Sequence, residues 1–249
     1  MGDNVAPHLA PERAVDELLA RLSELGTPER AVNERAYLKS NLQFMGVTVW
    51  AIRRATLAFL GEHPELDREG ILALVEGMWT RPVHELHMAA IDILDAKSAL
   101  LEARDLDLVE AMLRTSYTWA YVDSLAADVA GTIVVRFPES TSTLDRWADD
   151  PDFWLRRSAM LALLKPLRAG GGDLERFLGY ADAMLEEKEF FIRKAIGWVL
   201  REVGKKRPAE VRAFLEPRLG RASGLTIREA VKHLPEADRE ALLAGRPRR

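Results

Sequence analysis

Thr118-Trp119-Ala120-Tyr121-Val122-Asp123 is the stretch at which a repeated pattern of the chain breaks. The pattern is an arginine, one intervening residue and an alanine, found at Arg53-Arg54-Ala55, Arg157-Ser158-Ala159, Arg193-Lys194-Ala195 and Arg228-Glu229-Ala230. Weaker copies, Met88-Ala89-Ala90 and Asp123-Ser124-Leu125, fill the interval between the first two. The six anchors at 53, 88, 123, 157, 193 and 228 are therefore spaced by 35, 35, 34, 36 and 35 residues. A period of that length, holding two helical segments and two short turns, marks a helical-repeat array whose units bury their apolar faces by stacking on neighbours. The expected fold is all-α: a right-handed α-solenoid of about six helix pairs, a single domain over residues 1–249, with the second helix of each pair carrying the anchor and lining the concave face. Asp123 occupies a slot that four of the six repeats give to arginine, and Trp119 lies one helical turn before it on the same face.

Between the anchors the residues are those of helix ends. Pro11 opens a helix with Val15, Leu18, Leu19 and Leu22 at helical spacing, and Gly26 closes it. Thr27 is placed to cap a second, with Pro28 at its first position and Tyr37, Leu38 and Leu42 along it. Thr48 caps a third running to about His63, Asp67 caps a fourth containing Ile71, Leu74, Val75 and Met78, and Pro82 starts the helix of the second anchor. Asp105 or Asp107 introduces a helix through Met112, and Pro138 closes the one that contains Trp119 and Asp123. Gly170-Gly171-Gly172 has neither a strand before it nor Lys-Ser/Thr after it, so it reads as an interhelical turn with Asp173 as the next cap. Arg246 to Arg249 read as a frayed basic tail.

With 48% hydrophobic residues in 249, the chain can bury a large core. No apolar run of eighteen residues and no basic-then-apolar amino terminus are present, so neither a membrane nor a secretory route is expected and the address reads as cytoplasmic. Zero cysteines exclude disulfides, thiolate metal sites and a cysteine nucleophile. His84-Glu85-Leu86-His87 sets its histidines at i and i+3, one short of the zinc-protease spacing, and the others are scattered at 8, 63 and 233, so no metal is expected. No nucleophile elbow and no dinucleotide-binding glycine pattern occur, and no cofactor is expected. Charge is divided unevenly: residues 1–149 carry 14 Lys+Arg against 24 Asp+Glu, residues 150–249 carry 21 against 15. A second half at +6 points to an anionic partner, with a solvated basic face as the plain alternative.

Tyr37-Leu38-Lys39 with Phe44-Met45-Gly46-Val47, Trp119-x-x-Val122-Asp123, Trp154-Leu155-Arg156-Arg157-x-Ala159 and, above all, Phe190-Phe191-Ile192-Arg193-Lys194-Ala195-Ile196-Gly197-Trp198-Val199-Leu200-Arg201-Glu202 resemble the AlkD-type DNA alkylation repair glycosylases over nearly the whole chain. The resemblance implies a monomeric HEAT-like solenoid that grips double-stranded DNA in a basic groove, in a nucleoid-associated, prokaryotic-type setting. It also implies hydrolysis of the N-glycosidic bond of N3- and N7-alkylated purines without extruding the base. By the same resemblance Asp123 is the catalytic acid, Trp119 and Trp198 its aromatic companions, Arg157 a phosphate contact and Tyr37 a groove residue. Arg156, Arg193, Lys194 and Arg201 join the expected DNA contacts, since they lie on or beside the proposed groove. The family commonly has Trp-Asp-x-Val-Asp where this chain has Ala120, a departure that bears on substrate preference.

Elementary chemistry agrees. An alkylated purine is cationic and already a good leaving group, so a site without histidine can suffice. A fixed carboxylate and aromatic faces stabilise the developing sugar cation, the latter by roughly 0.5–2 kcal/mol each. Structural roles stand beside these. Trp119 and Trp198 fit a core, and Arg53, Arg157, Arg193 and Arg228 fit a ladder of salt bridges between repeats. Tyr37 fits a staple between the second and third helices. A non-catalytic DNA-structure binder and a helical scaffold for another protein remain the competing function classes.

Overall fold

The structure, a computed structural model, describes residues 10–245. The basic tail Arg246 to Arg249 and His8 lie outside the described residues. Among the described residues no strand forms, and one isolated bridge joins Gln43 to Val83. No helix among them is long and apolar enough to cross a membrane. The six anchors all fall on helices. Although the sequence carries no linker, the chain divides into two compact units between Asp105 and Leu106.

The first unit contains α1 (Pro11–Ser23), α2 (Pro28–Leu38), α3 (Val49–Glu62), α4 (Arg68–Trp79) and α5 (His84–Ala96). Helix α5 is its centre, with α1, α3 and α4 packed on it and Leu86, Ala89, Ala90, Ile93 and Leu94 buried. Thr48 Oγ1 accepts from the Ala51 N–H at 3.2 Å and Asp67 Oδ1 from the Gly70 N–H at 2.9 Å, which are the expected caps of α3 and α4.

Three local expectations fail here, all around the loop between α2 and α3. The Thr27 side chain makes no capping bond, and its backbone N–H donates to the Gly46 carbonyl at 3.3 Å. Leu42 lies beyond α2, which stops at Leu38 because Lys39 turns left-handed at φ +50°. Pro82 does not open α5: its carbonyl accepts the Gln43 N–H at 2.8 Å, and the chain stays extended through Val83. The common cause is Glu85, fully buried on α5. Its carboxylate accepts the N–H groups of Met45, Gly46 and Val47 at 3.0, 2.8 and 3.3 Å and so draws the loop inward. Gly46 at φ +79° is required for this approach, since a Cβ there would lie 2.2 Å from the Thr27 carbonyl oxygen.

Two histidines are packed beside that loop. His84 stacks on Phe44 at 4.3 Å and His87 on Trp79 at 4.2 Å, with His87 Nε2 within hydrogen-bond distance of the Trp79 and Arg81 carbonyls. Burial pushes His84 down to about 4, with Glu85 opposing the fall and His87 and Arg30 adding to it. A histidine held neutral in the fold contributes stability that is complete above its unfolded value near 6.5 and is lost as pH falls toward 4. At 1.36 kcal/mol per unit this amounts to about 3 kcal/mol. Urea denaturation from pH 7 to 4 is expected to show the loss, and His84→Phe to flatten the curve over that window while leaving the smaller part due to His87. A wild-type curve flat between pH 6.5 and 4 would contradict this assignment.

The second unit opens with α6 (Leu106–Arg114) and a long helical run made of α7 (Trp119–Ser124), a π-helical segment (Leu125–Ala130) and α8 (Gly131–Arg136). It ends at Phe137, before Pro138, as expected. There follow α9 (Thr141–Ala148), α10 (Phe153–Leu161), α11 (Leu164–Arg168), α12 (Leu174–Ala183), α13 (Phe190–Gly204), α14 (Pro208–Leu215), α15 (Gly224–Ala230) and α16 (Glu236–Ala244). The glycine run is the interhelical turn, and Asp173 Oδ1 caps α12 through the Arg176 N–H at 2.9 Å.

Helix α10 is nearly covered, touching α6, α7, α9, α12, α13 and the π segment. Helix α13 packs on α10, α11, α14 and α15. It meets α15 closely because residue 197 is glycine: a Cβ there would lie 2.6 Å from Glu229 Cβ and 2.9 Å from the Thr226 carbonyl oxygen.

Of the four repeat arginines, Arg53 pairs with Asp92 and Asp95 and Arg157 with Asp123, whereas Arg193 bonds the Glu187 carbonyl; within the second unit the ion pairs that span one period come mostly from other positions. Arg114 reaches Asp150 at 2.7 Å, Arg157 reaches Asp123 at 2.7 Å, Arg168 reaches Glu202 at 3.0 Å and Lys194 reaches Glu229 at 2.8 Å. Arg218 reaches Asp182 at 2.9 Å, again one period away. The exposed members are worth at most about 1 kcal/mol each. The pair of Asp123 and Arg157 is different because its cation is buried.

Candidate active site

Asp123 stands at the fifth position of α7, whose start Thr118 caps weakly through the Ala120 N–H at 3.4 Å. Immediately after it the helix widens into the π segment, a feature frequent at functional sites. Immediately before α7, Tyr117 holds φ +49°. It and Lys39, two residues past Tyr37, are the non-glycine residues in the left-handed region among those described, and such strain tends to gather where a chain is built for a task.

Arg157 grips Asp123 with both arms of its fork: Nε donates to Oδ1 at 2.7 Å and an Nη to Oδ2 at 2.8 Å. Its other Nη donates to the Phe191 carbonyl at 2.6 Å, and the guanidinium lies 5.8 Å from the Phe191 ring. Arg157 is only 3% exposed, whereas the Asp123 side chain keeps 20% of its surface open. The result is an oriented, partly exposed carboxylate backed by a covered arginine, each oxygen retaining a second lone pair. Trp119, 39% exposed, sits one turn before it on the same helix.

On α13 Phe190 is exposed and Phe191, Arg193, Lys194, Trp198 and Arg201 are half-buried; Lys194, Trp198 and Arg201 follow at helical spacing, so Trp198 lies between two cations. The side chains of Phe153, Trp154, Phe190 and Phe191 cluster at its start, with Trp154 and Phe191 rings 4.7 Å apart. Among the described residues no group of three or more histidines and carboxylates suits a metal ion.

The expected phosphate contacts sort into two kinds. Arg156 and Arg157 make their bonds to groups of the protein. Arg156 forks onto Glu187 at 2.9 Å and donates to the Asp150 and Pro151 carbonyls. Arg193 donates Nε to the Glu187 carbonyl at 2.7 Å and lines a recess of about 290 Å³ with Lys188 and Arg221. Lys194 and Arg201 remain partly exposed beside Trp198. Tyr37 is 72% exposed on α2, a helix with no buried residue, and so does not act as a buried staple. It belongs to the first unit.

The sequence matches the model of a family described as DNA alkylation repair enzyme over residues 18–234. The chain belongs to the DNA alkylation repair enzymes. No curated protein matches it. Among solved structures it is similar to a predicted DNA alkylation repair enzyme from Enterococcus faecalis, with 23% identity over 85% of this chain and 97% of that one and a TM-score of 0.77. AlkD2 from Streptococcus mutans is similar at 15% identity, 90% and 99% coverage and a TM-score of 0.64. The smu.31 protein of Streptococcus mutans UA159 is similar at 16% identity, 91% and 100% coverage and a TM-score of 0.61. At these identities the structures establish a shared helical-repeat fold.

Within this member of the DNA alkylation repair enzymes, sequence reasoning missed the π segment, which carries no sequence signature. It also missed Glu202 and Glu229, for which a signal existed: Arg168 and Glu202, like Lys194 and Glu229, are opposite charges about one period apart.

Proposed function

We propose that the protein is a DNA glycosylase that excises cationic N3- or N7-alkylated purines from duplex DNA. The observation that carries this reading is the oriented carboxylate of Asp123, held by Arg157 and flanked one turn away by Trp119, in a DNA alkylation repair enzyme. In the reaction the bond from the sugar C1′ to the purine nitrogen breaks, its electron pair neutralises the departing cationic base, and a water oxygen bonds to C1′ and loses a proton to solvent. Asp123 stabilises the positive charge that grows on the sugar and orients the water. Trp119 and Trp198 offer faces that attract the same charge. The first task of Arg157 is to fix the carboxylate, and a phosphate contact comes second to it.

No general acid is needed because the leaving group carries its own charge. Incubating the protein with methylated duplex DNA and identifying released bases by mass is expected to give free N3-alkyladenine or N7-alkylguanine. DNA binding without release of any base would overturn the catalytic reading and leave a DNA-structure binder.

A further inference from the structure

Two carboxylates outside the Asp123 pair are buried among cations. Glu202 on α13 is 4% exposed and accepts from Arg168 Nε at 3.0 Å, Lys205 Nζ at 2.8 Å and Arg201 Nε at 3.4 Å. Glu229 on α15 is 6% exposed and accepts from Lys194 Nζ at 2.8 Å, Arg201 at 2.9 Å and Lys232 Nζ at 2.8 Å. Arg201 touches both, so the cluster is continuous from α11 across α13 to the turn after α15. Burial opposes the charge on Glu229, but hydrogen bonds from Lys194 and Lys232 overcome it and hold its carboxyl down at about 2. The carboxylates are covered, while the cations stay a quarter to a half exposed. Five partly exposed cations share two covered anions, an excess of three positive charges in the cluster.

We propose that Glu202 and Glu229 are positioning residues that hold Arg168, Lys194, Arg201, Lys205 and Lys232 as a preformed track for the phosphates of a duplex DNA backbone. This rests on the reading of DNA as the partner. A free lysine or arginine carries rotamer entropy that a phosphate contact must overcome. Tethered to a buried carboxylate, the side chain is ordered when the protein folds, before DNA arrives. The cost is one negative charge per tether.

That cost makes the idea testable by sign. Glu229→Gln keeps shape and one acceptor oxygen and raises the net charge by one, so charge alone predicts tighter binding and a steeper salt dependence. Positioning predicts weaker binding. Fluorescence anisotropy with an undamaged duplex, from about 50 to about 200 mM salt, gives both affinity and slope. At equal folded fraction, Glu229→Gln is expected to bind at least several-fold more weakly than wild type, with a slope shallower by about one unit or more. Lys205→Gln and Lys232→Gln, at exposed positions that do not threaten the fold, are each expected to reduce the slope by about one. A Glu229→Gln protein that binds as tightly as wild type or tighter, or lysine variants with an unchanged slope, would overturn the track while leaving DNA as the partner. A wild-type protein without salt-dependent duplex binding would overturn the DNA reading itself, and the track with it.

Discussion

Asp123→Asn is expected to excise a cationic purine adduct at least about one hundred-fold more slowly than wild type under single-turnover conditions, per folded molecule, because several kcal/mol of transition-state stabilisation are removed. The same change also weakens the fold. Asparagine can offer Arg157 one oxygen, but its amide nitrogen meets a guanidinium N–H that previously donated to Oδ2. A covered donor left without an acceptor costs about 1–3 kcal/mol. The fork from the covered Arg157 is the reason for that loss. Melting temperature and excision rate should therefore be measured on one preparation. A destabilised variant with a wild-type rate per folded molecule would remove Asp123 from the chemistry and leave it a structural partner of Arg157.

Arg157→Ala is expected to be the most destabilising single change at the site. It removes both donors to Asp123 and the donor to the Phe191 carbonyl, three contacts that join α7, α10 and α13. Breaking a buried ion pair from one side typically costs about 3–5 kcal/mol. For a chain of this length each kcal/mol moves the melting temperature by about 2–4 °C, so a fall on the order of 10 °C follows. Arg157→Lys should recover only part of it, since an ammonium cannot span both carboxylate oxygens and the carbonyl. Thermal melts of the three proteins check this. A loss below about 1 kcal/mol in Arg157→Ala would show that the pair is solvated and contributes no more than a surface bridge. Excision by Arg157→Ala should fall as well, because the carboxylate is then free to rotate.

The repeat was legible because it is a matter of spacing: an Arg-x-Ala step or a weaker copy of it recurs near every 35 residues and falls on a helix each time. Caps that depend on neighbours in sequence, at Thr48, Asp67 and Asp173, were legible for the same reason. The loop after α2 was not. Its course is set by Glu85, forty residues beyond Met45 in the chain, and no local rule for Thr27, Leu42 or Pro82 contains that carboxylate.

The candidate site divides along the same line. An acid in an arginine slot identified Asp123, and its partner proves to be the arginine in the next slot, 34 residues on. What the spacing did not give was depth. Arg157 reads as a groove residue by position, yet α10 is covered by its neighbours and the guanidinium never reaches the surface in strength. Glu202 and Glu229 could have been found by looking for opposite charges one period apart, a search that treats the repeat as a set of interfaces and not only as a set of helices.

A site with a fixed carboxylate and aromatic faces, and no general acid, is expected to release only bases that are already cations. Single-turnover excision from one duplex sequence carrying either N7-methylguanine or a neutral lesion such as hypoxanthine tests it most directly. Free N7-methylguanine is expected at a rate dependent on Asp123, with no release of the neutral base. Release of both bases at similar rates, or of neither, would contradict it.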